Sequence, residues 1–169
     1  YPTMALKISS IGVVSHPELD RKIVAKIVEI LKSTSLPVSL EPETAKKVGE
    51  KSIEVKDMDV DLIIVLGGDG TLLWTANEIK KEPLLLGINA GRVGYMTEIR
   101  SDELPCRLNS IMAGDFFIDR RVKLRVNERH EALNDAHIMA KQPSHLLEFS
   151  INLNNIEIAD FRADGVMVS

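Results

Sequence analysis

Unbroken and alternating apolar blocks divide the chain into two stretches with different periods. In the first stretch Leu62-Ile63-Ile64-Val65-Leu66 has no polar interruption, the mark of a strand buried on both faces. Lys7 to Val14, with Ile8, Ile11, Val13 and Val14 apolar, reads as an earlier strand, Gly12 allows close approach, and Pro17 ends it. Pro37 to Leu40 and Pro83 to Asn89 read as two more. Between them Leu19, Ile23, Ile27, Ile30 and Leu31 recur at helical spacing, so Leu19 to Leu31 predicts an amphipathic helix. Thr44 to Val48 is a short helix candidate, and Glu50 to Asp61 carries no clear period and reads as a connection. Thr71 to Ile79, with Leu72, Leu73, Ala76 and Ile79 on one face, predicts a helix behind the third strand. Asp102 to Met112 predicts another, with Ser101 as its N-cap, Pro105 in its first turn and Gly114 closing it.

From Phe116 onward the period changes to two. Val122 to Val126, Ala132 to Met139, Leu147 to Leu153 and Ile156 to Phe161 alternate, and Asn154-Asn155 reads as a hairpin turn. The expectation is an α/β open sheet over residues 1–115, followed by the beginning of an antiparallel all-β domain over 116–169. Gly165-Val166-Met167-Val168 reads as a further strand just before the sequence stops, so the sequence reads as C-terminally truncated, with the all-β domain incomplete.

Composition narrows the function. A net charge of -4 gives no general attraction for nucleic acid or anionic membrane, and an aromatic share of 4% supplies no base-stacking surface. No apolar run approaches the roughly 18 residues of a membrane span. The lone cysteine, Cys106, cannot form an internal disulfide, fits a cytoplasmic chain and reads as a small core residue between Leu104 and Leu108. His16, His130, His137 and His145 have no metal-ligand spacing, and no protein-held metal site is expected. Lys46-Lys47 and Arg120-Arg121 read as surface pairs.

The candidate chemistry lies where two strands run into glycine-rich loops. The third strand meets Gly67-Gly68-Asp69-Gly70-Thr71, and the fourth meets Ala90-Gly91-Arg92-Val93-Gly94-Tyr95-Met96. Gly67, Gly68 and Gly70 are expected to bend the chain through positive φ and leave the backbone bare, so that N–H groups can cradle a polyphosphate. The same residue types also make an ordinary tight turn. Ligands of open α/β sheets bind outside the carboxyl ends of the strands, where both loops are expected.

Four segments in order resemble the NAD kinase (ATP-NAD kinase) family: Gly67 to Thr71; Gly87-Ile88-Asn89-Ala90-Gly91 through Thr97-Glu98; Ala132-Leu133-Asn134-Asp135; and Phe161-Arg162-Ala163-Asp164-Gly165 through Ser169. The first alone is shared with diacylglycerol kinases, sphingosine kinases and phosphofructokinases; the Asn-Asp pair and the second Asp-Gly narrow the match. The resemblance implies a kinase that moves the γ-phosphoryl of ATP, with Mg²⁺ carried on the nucleotide phosphates, to the adenosine-ribose 2′-hydroxyl of NAD, giving NADP. It implies that Asp69 faces that hydroxyl as the catalytic carboxylate. Gly67, Gly68, Gly70, Thr71, Asn89 and Gly91 would line the nucleotide site with Tyr95, Asn134, Asp135, Arg162, Asp164 and Gly165; Asp164-Gly165 would reach it, possibly from a neighbouring subunit. Arg92 would be a phosphate contact, and Arg162 would pair with a phosphate or with Asp160. The family assembles as dimers or tetramers. Beyond Val168-Ser169 the family continues with a turn and an Ala-Tyr pair that this sequence does not contain. The rivals are a lipid kinase of the diacylglycerol or sphingosine type and a nucleotide-binding module without catalysis.

Overall fold

The computed structural model describes residues 7–90, 94–97, 99–142 and 145–169. They form two compact units, Tyr1–Arg120 and Arg121–Ser169. The first is built on β1 (Ile11–Ser15), β2 (Val38–Leu40), β3 (Leu62–Leu66), β4 (Leu84–Asn89) and β5 (Ile99–Arg100), all parallel in the order β2-β1-β3-β4-β5. Every residue of β1 and β3 is buried. Their aliphatic runs have helices or turns on both faces, as a parallel sheet requires. The order reverses between β1 and β3, and that is where an open α/β sheet leaves a crevice at its carboxyl edge.

One face is covered by α1 (Arg21–Lys32), α2 (Pro42–Val48) and α4 (Leu104–Met112), whose Val24, Ile27, Leu31, Ala45, Leu104 and Leu108 share a core with Ile11, Val13, Ile64 and Ile88. The other face carries α3 (Asp69–Glu78) on β3 and β4, beside a 3-10 turn at Val55–Asp57. Gly12 faces this side, where a Cβ would come within 3.0 Å of Met58 Sδ and 3.1 Å of Ile63. Asp20 caps α1 by accepting from the Lys22 N–H at 2.6 Å. Glu41 caps α2 from a buried position, accepting from Glu43 and Thr44 N–H groups and from the Thr44 hydroxyl.

Four details differ from the sequence reading. The third helix begins at Asp69, two residues early, because the glycines adopt helix-entry geometry rather than a separate turn. Ser101 does not cap α4. The Glu103 carboxylate accepts from the Arg100 N–H, the chain turns there, and the helix starts at Leu104 with no side-chain cap. Cys106 is exposed, since α4 turns Leu104, Leu108 and Ile111 inward and leaves position 106 outside. Lys47 is only partly a surface residue: its ammonium donates to the His16 carbonyl at 2.5 Å, and burial lowers its pKa.

The second unit consists of three antiparallel ladders: β6 (Leu124–Val126) with β7 (His130–Ala132), β8 (Ala136–Met139) with β11 (Gly165–Val168), and β9 (Leu147–Leu153) with β10 (Ile156–Ala163). Asn154 and Asn155, at φ 50° and 67°, make the tight turn expected between β9 and β10. Phe149 and Phe161 stack across that hairpin with ring centroids 5.8 Å apart.

Candidate functional site

β3 and β4 are hydrogen-bonded neighbours, with Leu66 opposite Ile88, so the two glycine loops emerge side by side at the carboxyl edge. The chain leaves β3 through Gly67, whose N–H donates to the Ile88 carbonyl at 3.0 Å, and enters α3 directly. None of Gly67, Gly68 or Gly70 adopts positive φ; Gly68 stands at φ -98°. The expectation of left-handed turn residues is therefore corrected, and space explains the glycines instead. A Cβ on Gly67 would lie 2.5 Å from Thr71 Oγ1, while at Gly68 and Gly70 a Cβ would meet nothing within 4 Å. Among the described residues, nothing requires those two positions to be bare. The first turn of α3 has no side-chain cap, and among the described residues the N–H groups of Gly68, Asp69 and Gly70 have no partner. Beneath them the Thr71 hydroxyl is buried without a hydrogen bond.

Asp69, the first helical residue, turns its carboxylate onto the second loop. Oδ2 accepts from the Tyr95 N–H at 2.8 Å, and Oδ1 accepts from the Met96 N–H at 2.9 Å and the Thr97 hydroxyl at 3.4 Å. Partial burial pushes the carboxyl upward, but the N–H groups of Met96 and Tyr95 and the Thr97 hydroxyl outweigh it and hold the group below the ordinary carboxylate range. The Thr97 N–H acts on the carboxylate in the same direction.

The loop is fitted around that carboxylate. A Cβ on Gly94 would fall 2.2 Å from Asp69 Oδ1, and one on Gly87 would fall 2.8 Å from the Thr97 methyl and 3.0 Å from the Met96 carbonyl. Gly94 and Thr97, which lie against the Asp69 carboxylate, belong to the second loop motif, where residue type alone assigned them no role. The spacing of Gly87 and Gly94 around Asn89 was their only sequence signal. Asn89 itself is buried, with its amide donating to Thr97 Oγ1 at 3.5 Å, so it supports the loop from below. Tyr95 is 95% exposed. Gly91 and Arg92 lie outside the described residues.

A family model described as the ATP-NAD kinase N-terminal domain matches residues 11–116, more than half of the chain. The chain belongs to the NAD kinase family. It is similar to the NAD kinase of Thermococcus kodakarensis, 32% identical over 157 residues that take in 88% of this chain and 56% of that relative. It is also similar to the crystal structure of an NAD kinase from Archaeoglobus fulgidus in complex with ATP, at a TM-score of 0.75 and 25% identity, covering 94% of this chain and 59% of that one. Yeast NADH kinase complexed with NADH shares the fold at a TM-score of 0.76 and 18% identity, over 96% of this chain and 57% of that one. The chain thus spans a little over half the length of these NAD kinase relatives.

The remaining candidates of the NAD kinase pattern lie in the second unit. Asn134 is exposed, and Asp135 precedes β8 with its Oδ2 2.8 Å from His137 Nε2. Asp164 is exposed at the start of β11, and its carbonyl accepts from the Ala140 N–H at 2.9 Å. Asp135 and Asp164 therefore stand at opposite ends of the β8–β11 ladder, roughly 17 Å apart at about 3.4 Å per residue. Gly165 pairs with Met139, where a Cβ would lie 2.9 Å from the Ile138 carbonyl. Arg162 lies across the hairpin from Glu148, with 3.9 Å between Nε and Oε1, so the pairing with Asp160 gives way to one across the strands. Among the described residues, no three His, Cys, Asp or Glu side chains are grouped to hold a metal ion. No helix of the described residues is long and apolar enough to cross a membrane.

Proposed function

We propose that this chain carries the phosphate-binding half of an NAD kinase, which transfers the γ-phosphoryl of ATP to the 2′-hydroxyl of the adenosine ribose of NAD and yields NADP. The observation that carries the reading is the bare first turn of α3, with Gly68 and Gly70 open to solvent, three N–H groups without partners among the described residues and Asp69 at its head. Such a helix entry holds an anion through its backbone donors and dipole. The partnerless Thr71 hydroxyl beneath it supports a site completed by a polar ligand.

In this reading the phosphates rest on the N–H groups of Gly68, Asp69 and Gly70, and the Asp69 carboxylate accepts the ribose hydroxyl. With its proton affinity lowered, Asp69 is a weak base, so orientation of the hydroxyl is its larger task. As the new P–O bond forms and the bond to ADP breaks, the hydroxyl proton passes to the Asp69 carboxylate and then to water. Mg²⁺ would arrive with the ATP phosphates and offset their charge when bound. The exposed Tyr95 ring is available to pack on the nucleoside. Asn134 and Asp135 would contact the NAD nucleoside with donors and acceptors suited to hydroxyls and an adenine amino group. The separation of Asp135 from Asp164 along one ladder favours a homo-oligomer in which Arg162, Asp164 and Gly165 serve a neighbouring subunit's site. A cytoplasmic setting agrees with a lone unpaired cysteine.

The test is a coupled assay for NADP formation from ATP and NAD, run on the full natural polypeptide that carries these residues. NADP formation is the expected result. Phosphorylation of diacylglycerol or sphingosine without NADP would select a lipid kinase, and NAD binding without turnover would select a binding module.

A further inference from the structure

We propose that Thr97 is a positioning residue for phosphoryl transfer: its hydroxyl, fixed from below by Asn89, aims the Asp69 carboxylate and ties the Tyr95–Met96 backbone to it. Thr97 is 1% exposed, and among the described residues its hydroxyl is the one side chain that donates to the Asp69 carboxylate. A hydroxyl has a single proton, so a Thr97 that accepts from the Asn89 amide is left to donate toward Asp69 Oδ1. The packing around it is specific to threonine. Gly87 removes the Cβ that would strike the Thr97 methyl at 2.8 Å, and Gly94 removes the Cβ that would lie 2.7 Å from Thr97 Oγ1 and 2.2 Å from Asp69 Oδ1. Both glycines thus make room for one side-chain assembly, with the methyl seated over β4 and the hydroxyl turned to the carboxylate. Tyr95 and Met96 N–H groups each hold one carboxylate oxygen, and the hydroxyl of the buried Thr97 adds a contact to Oδ1. Rotation of the carboxylate breaks these contacts together, so a fixed Thr97 holds the oxygen that must meet the acceptor hydroxyl.

This inference rests on the role given to Asp69 above, and two isolated changes separate hydroxyl from methyl. Thr97→Val keeps the volume and removes the donor; Thr97→Ser keeps the donor and removes the methyl. In the full natural polypeptide, Thr97→Val is expected to lower kcat for NADP formation about tenfold with KM for ATP within about twofold, and Thr97→Ser to stay within about threefold of wild type. Amide hydrogen exchange at Tyr95 and Met96, which needs no turnover, is expected to quicken about tenfold in Thr97→Val and little in Thr97→Ser. Loss in Thr97→Ser exceeding that in Thr97→Val would show that the methyl matters and overturn the proposal. So would a Thr97→Val protein whose exchange at Tyr95 and Met96 matches wild type. If the wild type forms no NADP, the kinase reading falls, while the exchange comparison still decides what the hydroxyl does to the loop.

Discussion

Replacing Gly94 with alanine places a methyl group 2.2 Å from Asp69 Oδ1 and 2.7 Å from both Asp69 Cγ and Thr97 Oγ1. All three atoms belong to the assembly that joins the two loops, so the carboxylate must swing out or the loop must lift. Either movement loses the Tyr95 and Met96 N–H bonds, now 2.8 and 2.9 Å long. A hydrogen bond to a charged group contributes about 1.5–3 kcal/mol, and Asp69 is only partly buried, so water recovers much of each. The expected net cost is about 2–3 kcal/mol, which lowers Tm by about 5–10 °C in a chain of this size. Gly68→Ala is the control, because its Cβ meets nothing within 4 Å and its φ of -98° suits alanine. It should leave Tm within a few degrees while weakening ATP binding about tenfold or more, since the methyl stands over the bare helix entry. Thermal melts with equilibrium ATP binding on both variants make the check. A Gly94→Ala protein as stable as wild type, or a Gly68→Ala protein less stable than Gly94→Ala, would refute the reasoning.

Two further outcomes concern the scaffold. Asp61 accepts from the hydroxyl and N–H of Ser9 and from Ser10, tying the chain ahead of β1 to the start of β3. The Ser9 hydroxyl, followed by the Ser9 N–H, holds its carboxyl below the ordinary range. A lowered folded pKa contributes stability in full above about pH 4, and that contribution is lost as pH falls through the folded value. Asp61→Asn is therefore expected to lower neutral-pH stability by about 1 kcal/mol and to flatten the acid limb, measured by urea unfolding at about pH 3 and about pH 7. Glu41→Ala removes the buried cap of α2 and one of the two hydrogen-bond partners of the Thr44 hydroxyl, the other being Ser15 Oγ; a loss of about 1–3 kcal/mol in the same unfolding assay is expected.

The sequence carried the parallel core well because burial on both faces writes an unbroken aliphatic run, as in Leu62 to Leu66, and because Asn154-Asn155 announces its own turn. It carried the chemistry of the GGDGT turn but not its geometry. The glycines at Gly67, Gly68 and Gly70 suggest positive φ by composition, whereas the need at Gly67 is room for Thr71 and at the other two is an open approach. β5, two residues long, has too little pattern to be seen. Ser101 has the right chemistry for a cap, yet the Glu103 carboxylate takes the turn ahead of the helix, a contact no local rule shows. The role of Gly94 and Thr97 depends on a contact spanning 28 residues from Asp69, so it becomes visible only when the two loops are side by side. In the second unit the Asn-Asp and Asp-Gly pairs were legible as motifs, but their separation along one ladder follows from strand register alone.

The most direct measurement compares NADP formation by the wild-type natural polypeptide with that of Asp69→Asn, at matched folding and ATP occupancy. An asparagine can accept from one loop N–H but turns an amide donor toward the other, and it offers the acceptor hydroxyl no carboxylate. Turnover is expected to fall by at least about a hundredfold with ATP still bound; near-wild-type NADP formation by Asp69→Asn would contradict the placement of Asp69 at the reacting hydroxyl.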